Sequence, residues 1–196
     1  MRSITINRVY NVISAMNKID LNELKELLTN SLIESIQKVY LNDRDLLDNK
    51  VSERCVCARL AFYLELSIRH NKIFDGYYVD VEYDRMQDRL AKRIGLGRKK
   101  HICDLLIHSR GQQIPDNLLA VEMKVHNNYT KAPDDKVRLK DLVQHRNKKN
   151  KDSVCETIYG VFLRLRCDKY CYQTFDIEQN GGNPSRIIDG DMDFLY

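Results

Sequence analysis

The chain has 196 residues, of which 43% are hydrophobic and 31% charged, and its formal net charge is +4. This length suits one hydrophobic core and is short for two, so we expect one globular unit. No stretch reaches the roughly 20 apolar residues of a membrane span, and the first residues lack the pattern of a secretory signal, so we expect a cytoplasmic protein.

The first half of the chain predicts two amphipathic helices. Residues 20 to 40 carry leucine, isoleucine and valine at helical spacing behind Asp20, an N-cap residue. We assign residues 1–50 to an N-terminal helical extension and residues 51–196 to the main domain. The apolar stripe of this helix could pack on the domain or on a second copy of the chain, and the pattern leaves both open.

The second predicted helix runs from Ser52, its cap, to about His70, with Cys57, Leu60 and Leu64 on its apolar side. Glu53 heads that side, where an unpaired carboxylate is costly to hold. A first-turn acid favoured by the helix dipole is the simpler explanation of Glu53.

The pattern then becomes extended, and the second half predicts an α/β chain with a mixed central sheet flanked by helices. Strands are predicted at 77–83, 101–108, 118–126, 156–166 and 171–178, with a polar helix at about 133–146. The segment SRGQQIPDN between the second and third strands suits a hairpin turn. The acidic residues at 189–193 are interpreted as a tail.

Basic residues are concentrated in two short segments, 89–100 and 146–151. Such clusters can neutralise several phosphates, although a solvated loop is the more common reason for a basic run. The candidate nucleic-acid contacts are Arg93, Arg98, Lys99, Lys100, Lys148 and Lys149, together with Lys140 and Gln144 on the polar helix.

The segment 118–126 contains two of the candidate catalytic residues. Period two sends Leu119, Val121, Met123 and Val125 to one face, and it places Glu122 and Lys124 side by side on the other. A structural ion pair is the simple explanation. Asp104, however, is also an acid within an apolar run, on the strand that the hairpin places alongside. Two converging carboxylates suit a hard divalent cation, which would offset their repulsion.

These residues resemble the PD-(D/E)XK nuclease superfamily: an aspartate (ICDLL), then acid-x-lysine (VEMKV) on a paired strand, preceded by a helix bearing Glu53. The resemblance covers roughly residues 51–166 and implies a restriction-endonuclease-like αβββαβ core. Cys103 stands where the family often has proline.

The resemblance implies a Mg²⁺- or Mn²⁺-dependent endonuclease that hydrolyses phosphodiester bonds, with Asp104, Glu122, Lys124 and Glu53 as the catalytic residues. Asp104, Glu122 and the backbone carbonyl of Met123 would bind the metal, Glu53 would reach it through water, and Lys124 would orient the attacking water. The expected partner is DNA, and a homodimer would supply two sites for a duplex. Two alternatives stay open: a non-cleaving nucleic-acid-binding or accessory subunit of the same fold, and a protein that interacts through its helix at 20–40.

Overall fold

The computed structural model describes residues 20–83, 93–94, 99–100, 102–126, 132–143, 157–176 and 186–191. These ranges contain four α-helices, a 3-10 helix (Lys72–Phe74) and eight strands. The helices are α1 (Leu21–Asn42), α2 (Arg44–Asp48), α3 (Glu53–Arg69) and α4 (Ala132–Val143). The strands are β1 (Tyr78–Val81), β2 (Arg93–Ile94), β3 (Lys99–Lys100), β4 (Leu105–His108), β5 (Asn117–Val125), β6 (Thr157–Leu165), β7 (Lys169–Asp176) and β8 (Arg186–Asp191). None of the helices in these ranges is long and apolar enough to cross a bilayer.

The main sheet has six strands in the order β1-β4-β5-β6-β7-β8. Strands β5 and β6 are parallel, and the other neighbouring strands are antiparallel. The predicted α/β class and mixed sheet are therefore confirmed. The hairpin between β4 and β5 is also confirmed, since Leu105 pairs with Val121 and Ile107 with Leu119. Strands β2 and β3 form a separate two-stranded sheet within the first basic segment.

Helices pack on both faces of the sheet. On one face, Leu119, Val121, Met123 and Val125 of β5 join the large core formed with α1 and α3. On the other face, Ala120 belongs to a smaller core that includes residues of α4. The period-two alternation predicted for this strand is confirmed, and it leaves Glu122 and Lys124 on the α4 side.

The apolar stripe of α1 is buried within the chain itself. Leu24, Leu28, Leu32 and Ile36 are each at most 1% exposed and belong to the large core. The helix begins as predicted, because the Asp20 carboxylate accepts hydrogen bonds from the backbone N–H groups of the first turn. Of the two alternatives, packing on the domain and packing on a second copy of the chain, the structure shows the first. This stripe is therefore not available as a surface for another protein.

Two details of the sequence-based assignment were wrong. Strand β4 begins at Leu105, so Asp104 precedes the strand instead of lying inside it, because the pairing with β1 ends at Val81 and Leu105. The acidic segment is not simply a tail, since residues up to Asp191 form strand β8, which pairs with the edge that β7 would otherwise leave open.

Candidate active site

Strand β5 lies between β4 and β6 and carries two charged residues toward α4. Glu122 is 3% exposed and Lys124 is 8% exposed. Burying a charged group is costly unless it gains partners that offset the loss of water. The neighbours of these two side chains therefore decide what the site can do.

Asp104 is the first of these neighbours, and three elements hold it in place. Its Oδ2 accepts a hydrogen bond of 2.7 Å from the backbone N–H of Met123. Its backbone carbonyl accepts from the backbone N–H of Glu82 at 3.1 Å and from the thiol of Cys57 at 3.3 Å. The carboxyl group of Glu122 lies close enough for its charge to act on that of Asp104. We refer to these two residues as the acid pair.

The surroundings of the acid pair disfavour two negative charges. Burial, together with repulsion from Glu122, raises the pKa of Asp104 to about 7, although the Met123 N–H opposes the shift. Burial also raises the pKa of Glu122 to about 7, against the lowering effect of Arg138 and Lys124. A proton on one of the two carboxyls would relieve this repulsion, and so would a bound cation.

Lys124 lies beside the acid pair with its amine among three oxygen atoms. Its Nζ is 2.9 Å from the Met123 carbonyl oxygen, 3.2 Å from Glu53 Oε1 and 3.0 Å from Asp135 Oδ2. The first two oxygens accept hydrogen bonds from the amine, whereas Asp135 Oδ2 is joined to it by the ion pair alone. We refer to Lys124, Glu53 and Asp135 as the lysine cluster.

Glu53 reaches the site from the first turn of α3. The Ser52 side chain caps this helix by accepting from the Cys55 N–H, as predicted. From this first turn, Glu53 Oε2 lies 3.4 Å from the backbone nitrogen of Val125, and Glu53 Oε1 accepts a hydrogen bond from Lys124 Nζ. The structure thus brings together all four predicted side chains, with Glu53 in contact with Lys124 and its negative charge raising the pKa of both acids.

Asp135 and Arg138, both on α4, were missed by the sequence analysis. The Asp135 side chain is 3% exposed and forms ion pairs with Lys124 and Arg138. Arg138 is 41% exposed, and its charge acts on Glu122. The only signal in the sequence is a run of two aspartates, Asp134 and Asp135, at the start of a polar helix. That run does not show which aspartate faces inward.

The acid pair provides the type of ligand that a hard divalent cation prefers. Mg²⁺ takes oxygen ligands and is commonly held by one or two carboxylates while it keeps several waters. Within the ranges described, no three or more His, Cys, Asp or Glu side chains are grouped so that they could hold a metal ion. A cation here would therefore rely on Asp104 and Glu122, with water and a backbone oxygen as further ligands. The Met123 carbonyl expected in that role accepts from Lys124 instead.

The predicted nucleic-acid contacts lie mostly beyond what the structure describes. Lys140 is on α4 and partly exposed. The backbones of Arg93, Lys99 and Lys100 form β2 and β3, whose side chains are not described. Arg98, Gln144, Lys148 and Lys149 lie outside the described residues.

Two further cations lie near α4. Lys136 Nζ is 4.9 Å from the centre of the Phe162 ring. Burial and the neighbouring charge of Arg164, on β6, lower the pKa of Lys136.

Comparison of the chain with protein-family models, with curated proteins and with solved structures gives no match.

Proposed function

We propose that this chain is a Mg²⁺- or Mn²⁺-dependent endonuclease that hydrolyses phosphodiester bonds in DNA, with a restriction-endonuclease-like fold of the PD-(D/E)XK type. The observation that carries the proposal is the acid pair with an amine beside it: Glu122 and Lys124 are buried on β5, and the half-buried Asp104 directly precedes the neighbouring strand β4. A structural ion pair accounts for Lys124 with Asp135, but it does not account for two carboxyls placed against each other.

Asp104 and Glu122 would hold the cation. When bound, the cation would lower the pKa of a water molecule and offset the charge that develops on the phosphate. The hydrogen bond from the Met123 N–H fixes the Asp104 carboxylate before any ligand arrives. The pair is therefore preorganised, which limits the cost of assembling the site.

Lys124 would donate a hydrogen bond to the attacking water or to a phosphate oxygen. Its amine already donates to the Met123 carbonyl and to Glu53 and is ion-paired with Asp135, so one of these contacts must be exchanged when substrate enters. Glu53 is the acceptor that can be displaced, because its side chain is 30% exposed whereas that of Asp135 is 3% exposed. The cations of α4, which are Lys136, Arg138 and Lys140, would bind the DNA backbone without reading its sequence.

Plasmid nicking tests the proposal. Supercoiled DNA is incubated with the protein and Mg²⁺ or Mn²⁺, and the same reaction is run with EDTA. Wild type should convert the plasmid to open circles, whereas Glu122→Gln and Lys124→Met should be slower by on the order of 10²-fold or more. Lys38→Met, a change of the same type on the distant helix α1, should cleave like wild type. Absence of metal-dependent nicking by purified wild type would rule the proposal out.

One observation favours a second candidate, a DNA-binding or accessory subunit of the same fold that does not cleave. The lysine cluster is complete without substrate or metal, as a purely structural ion-pair network would be. Binding to DNA that weakens steeply with salt, with no cleavage under any divalent cation, would identify this candidate.

A further inference from the structure

Asp135 is the most deeply buried acid in contact with Lys124. Its side chain is 3% exposed, and its Oδ2 lies 3.0 Å from Lys124 Nζ. Its other oxygen, Oδ1, is paired with Arg138 one helical turn later. Both oxygens of this carboxylate are thus in ion pairs, one with each cation next to the acid pair.

Helix α4 holds Asp135 rigidly because the helix lies close against β6. A Cβ atom added at Gly160 would lie 2.9 Å from Val143 Cγ2 and 3.1 Å from Leu139 Cγ, so nothing larger than glycine fits without a shift. Leu139 is fully buried in the smaller core. The position of Asp135 is therefore fixed by packing and does not depend on the ion pair itself.

The two acids of the lysine cluster differ in how readily each can be displaced. Glu53 is in the first turn of α3 and is 30% exposed, so water or substrate can replace it. Asp135 lies on the packed side of α4 and is shielded from solvent. If Lys124 releases one of the two acids to contact substrate, Asp135 is the one that stays in its ion pair.

We propose that Asp135 is a positioning residue that anchors the Lys124 amine at the distance from the acid pair that phosphodiester hydrolysis requires. This inference rests on the proposed function. Without the Asp135 carboxylate, the nearest remaining negative groups are Glu53 and the acid pair itself. The amine would move toward them and away from the place where it meets the attacking water.

The expected effect is on turnover and not on substrate binding. Misplacing a catalytic group by about 1 Å can cost on the order of 10²-fold in rate. Asp135→Asn should therefore lower kcat by about 10- to 100-fold while KM for DNA changes by less than about twofold. Asp135→Glu, which keeps the charge but moves it, should fall between Asp135→Asn and wild type.

The neighbouring residue supplies a matched control. Asp134 is exposed on the same helix, so Asp134→Asn removes an identical charge one position away without touching Lys124. That variant should keep the wild-type kcat. The thermal unfolding midpoint and the Mn²⁺ affinity of each variant are measured alongside, so that loss of folding or of metal binding is separated from loss of positioning.

A double-mutant cycle with Lys124→Met completes the experiment. If Asp135 acts through Lys124, Asp135→Asn should lower kcat in wild type and have no further effect in Lys124→Met. Equal kcat for Asp135→Asn and Asp134→Asn, or equal effects of Asp135→Asn in both backgrounds, would overturn the inference while leaving the proposed function standing.

Two further outcomes are decisive. Should Asp135→Asn fail to fold, Asp135→Glu takes its place: a lower kcat at unchanged KM supports the inference, and an unchanged kcat overturns it. If wild type itself shows no metal-dependent cleavage, the proposed function fails and the positioning role fails with it.

Discussion

Replacing Asp104 by asparagine should stabilise the metal-free protein at neutral pH while abolishing cleavage. Asparagine has nearly the same shape, and its carbonyl oxygen can still accept the hydrogen bond from the Met123 N–H. Its amide can donate to the Glu122 carboxylate, which turns a repulsive contact into an attractive one. Asp104→Asn therefore removes one charge and leaves the packing of the side chain unchanged.

The size of the expected change in the free energy of unfolding follows from the raised pKa of Asp104. Its folded-state value is about 7 against an ordinary value of 3.8. Between these two pH values the folded state binds more protons than the unfolded state. The contribution of the Asp104 carboxyl to the free energy of unfolding is therefore fully present below pH 4 and is lost as the pH rises through 7. A shift of three units corresponds to about 4 kcal/mol. Part of this is repulsion that Glu122 shares, and the new amide is itself buried, so we expect a gain of about 1–2 kcal/mol at pH 8.

Urea denaturation in EDTA at pH 5 and pH 8 measures this effect. Wild type should lose stability between the two pH values, and Asp104→Asn should lose much less. Asp48→Asn, at an exposed position on α2, serves as the control and should keep the wild-type pH dependence. Mg²⁺ at one hundred times its dissociation constant should raise the free energy of unfolding of wild type at pH 8 by about 2.7 kcal/mol. The same Mg²⁺ concentration should leave the free energy of unfolding of Asp104→Asn unchanged.

Two results would refute the reasoning. If Asp104→Asn is less stable than wild type at pH 8, the two carboxyls do not repel each other in the folded protein. If Mg²⁺ stabilises the variant as much as it stabilises wild type, a cation binds somewhere other than the acid pair. The first result would contradict the repulsion within the acid pair, and the second would contradict the assignment of the cation to Asp104 and Glu122.

Three further changes probe the elements around the site. Lys136→Ala removes a cation of α4 that the proposed function assigns to the DNA backbone, so DNA affinity should fall and the slope of log K against log salt should shrink by about 1 in a fluorescence titration. The free energy of unfolding should fall by no more than about 1 kcal/mol, the size of the lost contact with the Phe162 ring. Ser52→Ala removes the cap of α3 and should cost about 1 kcal/mol in urea denaturation, and a value near zero would mean that the cap contributes nothing. Gly160→Ala places a Cβ against Leu139 and Val143 and should cost about 1–3 kcal/mol with a lower thermal midpoint; an unchanged midpoint would show that α4 is not tightly seated.

Much of the fold could be predicted because its strongest signals are local. Period-two alternation over nine residues identified the central strand, since a one-residue slip would exchange its buried and charged faces. Asp20 and Ser52 fixed the starts of two helices through hydrogen bonds within a single turn. The hairpin between β4 and β5 then followed from its turn, and it brought Asp104 to Glu122.

Other features could not be predicted because they depend on how elements pack. Asp134 and Asp135 are adjacent in a polar helix, and their burial differs only because α4 lies on β6 with one side inward. The ion pair of Asp135 with Lys124 joins two elements whose relative orientation no local pattern contains. Strand β8 was missed for a similar reason, since its pairing with β7 depends on an open sheet edge and not on its own composition.

The two halves of the site call for different explanations. Lys124 and Asp135 are opposite charges, and such a buried pair is tolerable in many proteins, although apolar residues of the same size are often as stable. Asp104 and Glu122 are like charges, and their burial lowers stability at neutral pH unless a proton or a cation lies between them. A chain selected for stability alone would lose the acid pair before the lysine cluster. The acid pair is thus the feature that stability does not explain, and a functional role for the cluster depends on it.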